Sequence, residues 1–149
     1  MNDYQQLDTW IDAHFDEEVK FLQRLVQVPT DTPPGNNAPH AERTAELLAG
    51  FGLTAEKHPV PAQEVKDYGL ESITNLIVRR PYGHGGRTVA LNAHGDVVPP
   101  GEGWAHAPYG GEIDNGAMYG RATAVSKSDF ASFTFAVRAL EAVAQPTRG

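Results

Sequence analysis

Apolar side chains recur at steps of three and four residues over the first part of the chain. This spacing predicts an amphipathic helix over about residues 5–27, with one face packed against a core. The adjacent carboxylates of Glu17 and Glu18 fall on its polar side, and we interpret them as structural. The apolar positions that follow the spacing are Leu7, Trp10, Ile11, Phe15, Val19, Leu22, Leu25 and Val26.

Shorter helical and extended patterns follow, separated by segments rich in glycine, proline and asparagine that favour loops. Residues 30–38 are predicted to be a loop and residues 61–72 a polar connector. The predicted elements after the first helix are a helix at 39–49, strands at 54–60, 73–78 and 88–92, a hairpin centred on Asp114-Asn115-Gly116, and a helix at 127–144.

Two of these elements carry specific expectations about packing. The strands at 73–78 and 88–92 are separated by a glycine-rich segment, so we expect them to pair as a hairpin. The second arm of that hairpin would lead into His94. The last helix is expected to bury a face made of Phe130, Phe133, Val137 and Leu140.

The composition is that of a globular protein, with 40% hydrophobic and 21% charged residues among 149. A formal net charge of −7 argues against binding to nucleic acid or to an anionic membrane, since both require a basic face. The chain has no cysteine, so a metal site would have to use histidine and carboxylate ligands. The polar N-terminus lacks the pattern of a signal peptide, and we therefore expect a cytoplasmic protein.

His94 and Asp96 form the candidate site. Side chains at positions i and i+2 of an extended chain point to the same side, so the two can converge. A carboxylate behind a histidine is a common way to orient an imidazole that binds a metal. The alternative interpretation is a strand that ends in a polar turn, with His94 only hydrogen-bonded.

The five other histidines are interpreted as structural or incidental, including His14, which lies on or beside the apolar face of the first helix. His40, in the first turn of the second helix, is expected to face solvent, and His58 to be exposed on a strand. His84 falls in the glycine-rich turn and is considered incidental. His106 is expected at the surface, with a place at the mouth of a pocket as the alternative.

The neighbours of the His94–Asp96 pair form an ordered set of short motifs. They are Leu25-Val26-Gln27-Val28-Pro29-Thr30, Pro33-Pro34-Gly35, His94-Gly95-Asp96-Val97-Val98-Pro99, Trp104, Ala107-Pro108-Tyr109, Asp114-Asn115-Gly116, Gly120-Arg121 and Lys127. As a set, covering about residues 15–143, they resemble the signature of the dinuclear-zinc amidohydrolases. That family includes acetylornithine deacetylase, succinyl-diaminopimelate desuccinylase, aminoacylase and carboxypeptidase G.

The resemblance implies an α/β fold, with a mixed β-sheet flanked by helices, as in the N-terminal portion of a zinc-peptidase (phosphorylase/hydrolase-like) catalytic domain. It implies that His94 binds zinc and that Asp96 acts in catalysis by orienting His94. One or two zinc ions are expected, with cobalt or manganese as substitutes. The implied substrate is an N-acyl amino acid or small peptide, and the full-length form is a possible homodimer.

In the family, the remaining ligands, the catalytic glutamate and a lid or dimerisation domain come later in the sequence than the motifs seen here. We therefore expect residues 1–149 to be a partial catalytic domain that is inactive alone. The rival hypothesis is a non-catalytic binding or interaction protein on the same scaffold that has lost its metal.

Three positions depart from the family's pattern, and two of them are Ala122, where the family has glycine, and Ser126, where it has methionine. Aligning Gly120-Arg121 with the family's Gly-Arg puts Val125 where a bridging aspartate is expected, and valine cannot bind zinc. Either Asp129, one helical turn later, supplies the ligand, or the site binds metal differently, for instance one ion instead of two. Asp129 is otherwise a first-turn residue that the helix dipole stabilises.

Overall fold

The computed structural model describes residues 2–149 and begins with the predicted long helix, α1 (Asp3–Val26). A capping box starts it: the Asn2 side chain accepts from the Gln5 amide, and the Gln5 side chain accepts from the Asn2 amide. The helix buries its C-terminal half, where Leu25 and Val26 are fully enclosed. The prediction for this element is confirmed.

Helix α2 (Ala38–Ala49) follows a loop and leads into strand β1 (Ala55–Pro59), as predicted. The chain turns between them at Gly52, whose φ of 73° lies in the left-handed region that favours glycine. The buried side of α2 includes Thr44 and Leu48. This side faces the core and the segment around His94.

Strand β2 (Thr74–Val78) pairs antiparallel with β1, from Ala55 opposite Val78 to Pro59 opposite Thr74. The hairpin predicted between residues 73–78 and 88–92 is therefore wrong. Residues 88–92 form no strand, and Val89 and Leu91 are 78% and 51% exposed. The glycine-rich segment does not turn back on β2, because it is bonded instead to residues 148 and 149 through Tyr82 and Gly83.

The predicted polar connector at 61–72 is also wrong in part, since it contains a short helix, α3 (Ala62–Asp67). Its one buried side chain is Val65, which is 2% exposed. A single apolar residue among polar ones gives no periodic signal, so packing rather than pattern specifies this helix.

The predicted second hairpin is confirmed as β3 (Glu112–Asp114) and β4 (Ala117–Tyr119). Asn115 and Gly116 have φ angles of 49° and 79°, as a two-residue type I′ turn requires at both central positions. The hairpin leads directly into the Gly120-Arg121 segment.

Helix α4 (Lys127–Val143) packs along α1, but the predicted face is displaced. Leu140 is 39% exposed, and Phe130, Phe133 and Val137 are only partly buried. Phe135 is fully buried instead, and its ring packs against those of Trp10 and Phe21 on α1. The buried residues of α4 are Lys127, Ala131, Thr134, Phe135 and Ala139.

The α/β class is confirmed, as two small antiparallel sheets flanked by helices. The core lies between α1, α2 and α4, around Phe21, Leu25, Leu48 and Phe135. Parallel contacts within residues 2–149 are limited to isolated bridges, of which Asp31 with Val97 adjoins the candidate site. No helix in this part of the chain is long and apolar enough to cross a membrane.

Candidate functional site

His94 and Asp96 meet as the sequence predicts. The Nδ1 atom of His94 lies 3.0 Å from the carbonyl oxygen of Asp96 and 3.3 Å from its carboxylate Oδ1. Both oxygens are acceptors, so Nδ1 must carry the proton and the lone pair is left on Nε2. The two side chains are 57% and 50% exposed. The arrangement suits an imidazole that binds a ligand through Nε2.

The turn that carries this pair is bonded to the loop after α1. Thr30 is 1% exposed and its hydroxyl donates to the Gly95 carbonyl over 2.7 Å. The Val97 amide donates to the Thr30 carbonyl at 3.1 Å, and the Thr32 amide to the Val97 carbonyl at 2.8 Å. Residues 30–32 therefore hold the turn at residues 95 and 97 through three hydrogen bonds.

Lys127 secures the same loop from the start of α4. Its side chain is fully buried, and Nζ donates to the Val28 carbonyl at 2.7 Å. Burial lowers the pKa of Lys127 to about 8, with the nearby Asp31 carboxylate acting in the opposite direction. The Tyr109 hydroxyl donates to Asp31, and burial, with that bond, raises the tyrosine pKa. The loop after α1, the segment that carries Tyr109 and the start of α4 thus meet behind the turn that carries His94.

His40 lies behind the turn as well, and its predicted exposure is wrong. It is 4% exposed, because the first turn of α2 faces Gly95 rather than solvent. Its ring meets Phe130 edge-on, with centroids 5.6 Å apart. Burial, and secondly the charge of Lys127, lowers the pKa of His40 to about 3. His40 is therefore neutral at physiological pH, and among residues 2–149 its Nε2 atom has no hydrogen-bond partner.

An open cleft of about 320 Å³ brings His94 together with the Gly120-Arg121 segment. Arg121 is held there by its Nε atom, which donates to the Val98 carbonyl at 2.9 Å. Within residues 2–149 its guanidinium forms no ion pair. Sequence reasoning used Arg121 only to align the motif and missed its place in the cleft. The lining residues are His94, Asp96, Val97, Val98, Arg121, Ala122 and Val125.

Val125 lies in this cleft with His94 and is 69% exposed. Its assignment to the bridging position stays a prediction from the alignment. Asp129 is in the first turn of α4, where its carboxylate accepts from the Ser126 hydroxyl, and it does not line the cleft. Its role as a ligand stays a prediction.

Among residues 2–149, the cleft contains one histidine, His94, that is placed as a candidate metal ligand. The imidazole of His94 is held at Nδ1 by Asp96 and would offer Nε2 to a metal, whereas a catalytic zinc takes about three ligands from protein. Over the part of the chain that the structure describes, no group of three or more histidine, aspartate or glutamate side chains is placed to hold a metal. Further ligands would have to come from outside these residues.

A larger surface groove of about 590 Å³ is lined mainly by α1 and α2. It contains His14, Glu17, Lys20, Arg24 and Glu46, a mixture of both charge signs. It includes none of the motif residues around His94. The smaller cleft is therefore the candidate functional site.

His106 does not line that cleft. Its ring stacks on Tyr119 with centroids 4.0 Å apart, and its Nδ1 atom lies 2.9 Å from a Glu112 carboxylate oxygen. These contacts explain its placement beside the β3–β4 hairpin, so no role at the mouth of the pocket is assigned.

Substitution Asp96→Ala is expected to weaken zinc affinity at His94 by roughly 10-fold, the lower end of the range for removing an orienting group. The effect is moderate because the Asp96 carbonyl still accepts from Nδ1 after the carboxylate is removed. Competition with a chelator measures the affinity, and Asp16→Ala, an exposed aspartate of α1, is the matched control. Unchanged affinity in Asp96→Ala would exclude the orienting role.

The chain is similar in sequence to known proteins over most of its length. Residues 90–149 match the model of the peptidase family M20/M25/M40. The chain is 35% identical over 123 residues to the succinyl-diaminopimelate desuccinylase of Rhodospirillum centenum, covering 81% of this chain and 30% of that enzyme. It is 36% identical over 124 residues to the enzyme of that name from Rhizorhabdus wittichii, covering 83% and 30%. It is 32% identical over 123 residues to that of Wolinella succinogenes, again covering 83% and 30%. The chain thus spans 30% of the length of these relatives.

Proposed function

The chain belongs to the M20/M25/M40 family of peptidases, and on that premise we propose that it is part of a metal-dependent enzyme that hydrolyses an amide bond. The proposed substrate is an N-acyl amino acid or a small peptide. The desuccinylase relatives support the hydrolase class. More specifically, we propose that the enzyme is a zinc amidohydrolase that removes the acyl group from an N-acyl amino acid.

The observation that carries the proposal is the His94–Asp96 pair in an open cleft, inside the region that matches the family model. In the proposed enzyme His94 would hold zinc through Nε2, and Asp96 would orient the ring by accepting from its Nδ1–H. Bound zinc polarises a carbonyl and lowers the pKa of water, and cobalt or manganese are the proposed substitutes.

The further metal ligand and the number of metal ions are proposals as well. Asp129 is kept as a candidate ligand, and Val125 in the cleft favours one ion over two. Because His94 alone cannot hold a catalytic zinc, we propose that residues 1–149 do not hydrolyse amides unaided. Cytoplasmic location, homodimerisation of the full-length form and the lack of nucleic-acid or membrane partners remain predictions from the sequence.

The decisive experiment uses the protein as its gene encodes it, loaded with zinc and assayed on N-succinyl, N-acetyl and N-formyl amino acids and on dipeptides. We expect hydrolysis of at least one substrate class, and its loss in His94→Ala. The matched control is His58→Ala, because His58 is an exposed histidine on β1 outside the cleft. Zinc-loaded protein that hydrolyses nothing on this panel would contradict the proposal.

The alternative function is a non-catalytic binding protein on the same scaffold. Two observations favour it: valine at the bridging position, and the lack of a three-donor cluster within residues 2–149. The two functions differ in a simple measurement. A non-catalytic binding protein would purify without zinc, and His94→Ala would leave its binding unchanged. The proposed enzyme would purify with zinc and would lose it in His94→Ala.

A further inference from the structure

The glycine between His94 and Asp96 lies directly against the buried ring of His40. We infer that His40 is a positioning residue for His94, that it acts through Gly95, and that it is the reason this position is glycine. The inference rests on the proposed function in one respect only, which is that His94 is described as a metal ligand. The contact that holds the turn does not depend on whether a metal binds.

Space, and not backbone conformation, excludes a side chain at Gly95. A Cβ atom added there would lie 2.8 Å from Nδ1 and 2.9 Å from Cε1 of His40, well inside van der Waals contact. The φ angle of Gly95 lies outside the left-handed region, unlike those of Gly101 and Gly103, at 74° and 85°. An alanine at this position would therefore be free of backbone strain if the ring of His40 were absent.

The ring of His40 is not free to move away. It is 4% exposed, it is carried by α2, and Phe130 packs edge-on against it with centroids 5.6 Å apart. The hypothetical Cβ at Gly95 would also lie 3.7 Å from the tip of the Phe130 ring. The Phe130 ring thus supports His40 where the imidazole contacts Gly95.

A hydrogen bond fixes Gly95 independently of this contact. The buried Thr30 hydroxyl donates to its carbonyl at 2.7 Å, so Gly95 is fixed by a bond to the Thr30 loop and by contact with the ring on α2. With Gly95 fixed, His94 and Asp96 leave the turn towards the same cleft, and Nδ1 reaches the carboxylate at 3.3 Å. Contact with the His40 ring prevents the turn from moving closer to α2. It thereby sets the position of His94 relative to Asp96.

The test is a double-mutant cycle on the full 149-residue chain, read by the tautomer of His94 in two-dimensional 15N–1H spectra and by urea unfolding. Wild type is expected to show His94 protonated on Nδ1. Gly95→Ala should lose that tautomer and unfold more readily, and Gly95→Ala with His40→Ala should regain both. Because the two residues are in contact, their effects should not be additive. The unfolding equilibrium constant of the double variant should differ by roughly tenfold from the value that the two single variants together predict.

His40→Phe separates shape from polarity, and it also serves if Gly95→Ala fails to fold. A phenyl ring keeps the surface against Gly95, so His94 should remain protonated on Nδ1, whereas His40→Ala should shift it. His58→Ala is the control for loss of a histidine. Additive effects of the two substitutions, or an unchanged His94 tautomer in folded Gly95→Ala, would overturn the inference. Absence of bound metal would defeat the proposed function and leave this result intact.

Discussion

Acidification is expected to destabilise this fold by about 5 kcal/mol through His40 alone once the pH reaches about 3. The pKa of His40 falls from 6.5 to about 3 on folding, because burial and then the charge of Lys127 disfavour the imidazolium. Between these two values the unfolded chain binds a proton that the folded chain does not. The stability is therefore complete above pH 6.5 and decreases as the pH falls towards 3.

Urea unfolding of wild type and His40→Phe at pH 7 and pH 4 measures this contribution. At pH 4 we expect the free energy of unfolding of wild type to fall by about 3 kcal/mol more than that of the variant, which has nothing to protonate at this position. Protonation of carboxylates affects both proteins and cancels in the comparison. His58→Ala should follow wild type, since His58 is exposed. Parallel pH profiles for wild type and His40→Phe would show that His40 titrates normally.

Substitution Phe135→Ala is expected to lower the free energy of unfolding by about 3–5 kcal/mol, the range for removing a buried aromatic ring. Phe135 is fully buried, and its ring lies within 6.5 Å, centroid to centroid, of the rings of Trp10, Phe21 and Phe51. Arg138 adds a cation–π contact, with its guanidinium carbon 4.6 Å from the Phe135 ring centroid. The substitution removes the centre of the contact between α1 and α4.

Leu140→Ala is the matched control on the same helix, because the leucine is 39% exposed. Its cost should stay below about 1 kcal/mol, as for a partly exposed apolar side chain. Denaturant unfolding at neutral pH measures both variants. A larger loss for Leu140→Ala than for Phe135→Ala would restore the face predicted from the sequence and contradict the packing of α4.

The elements that sequence reasoning predicts well are those whose own residues determine them. The period of α1 runs over 24 residues, and the Asn115-Gly116 pair requires a particular turn. The face of α4 is less determined, because both Phe133 and Phe135 are aromatic and only the packing against α1 selects one. The strand expected at 88–92 has the right residues, but within residues 2–149 it finds no strand to pair with.

The candidate site divides in the same way. The approach of His94 to Asp96 is local and follows from a spacing of two residues. The burial of His40 is not local: it depends on α2 lying against Gly95, about 55 positions later in the chain. A signal was nevertheless present, because glycine inside an extended segment often marks a close approach of another group. The place of Arg121 in the cleft likewise depends on contacts that no spacing within one motif reveals.

The most direct test of the central claim, that His94 is a metal ligand, is the zinc content of the protein purified as its gene encodes it. Wild type and His58→Ala should both retain zinc through dialysis against buffer without chelator, and His94→Ala should lose it while keeping a cooperative unfolding transition. Folded His94→Ala with the zinc content of wild type would contradict the claim.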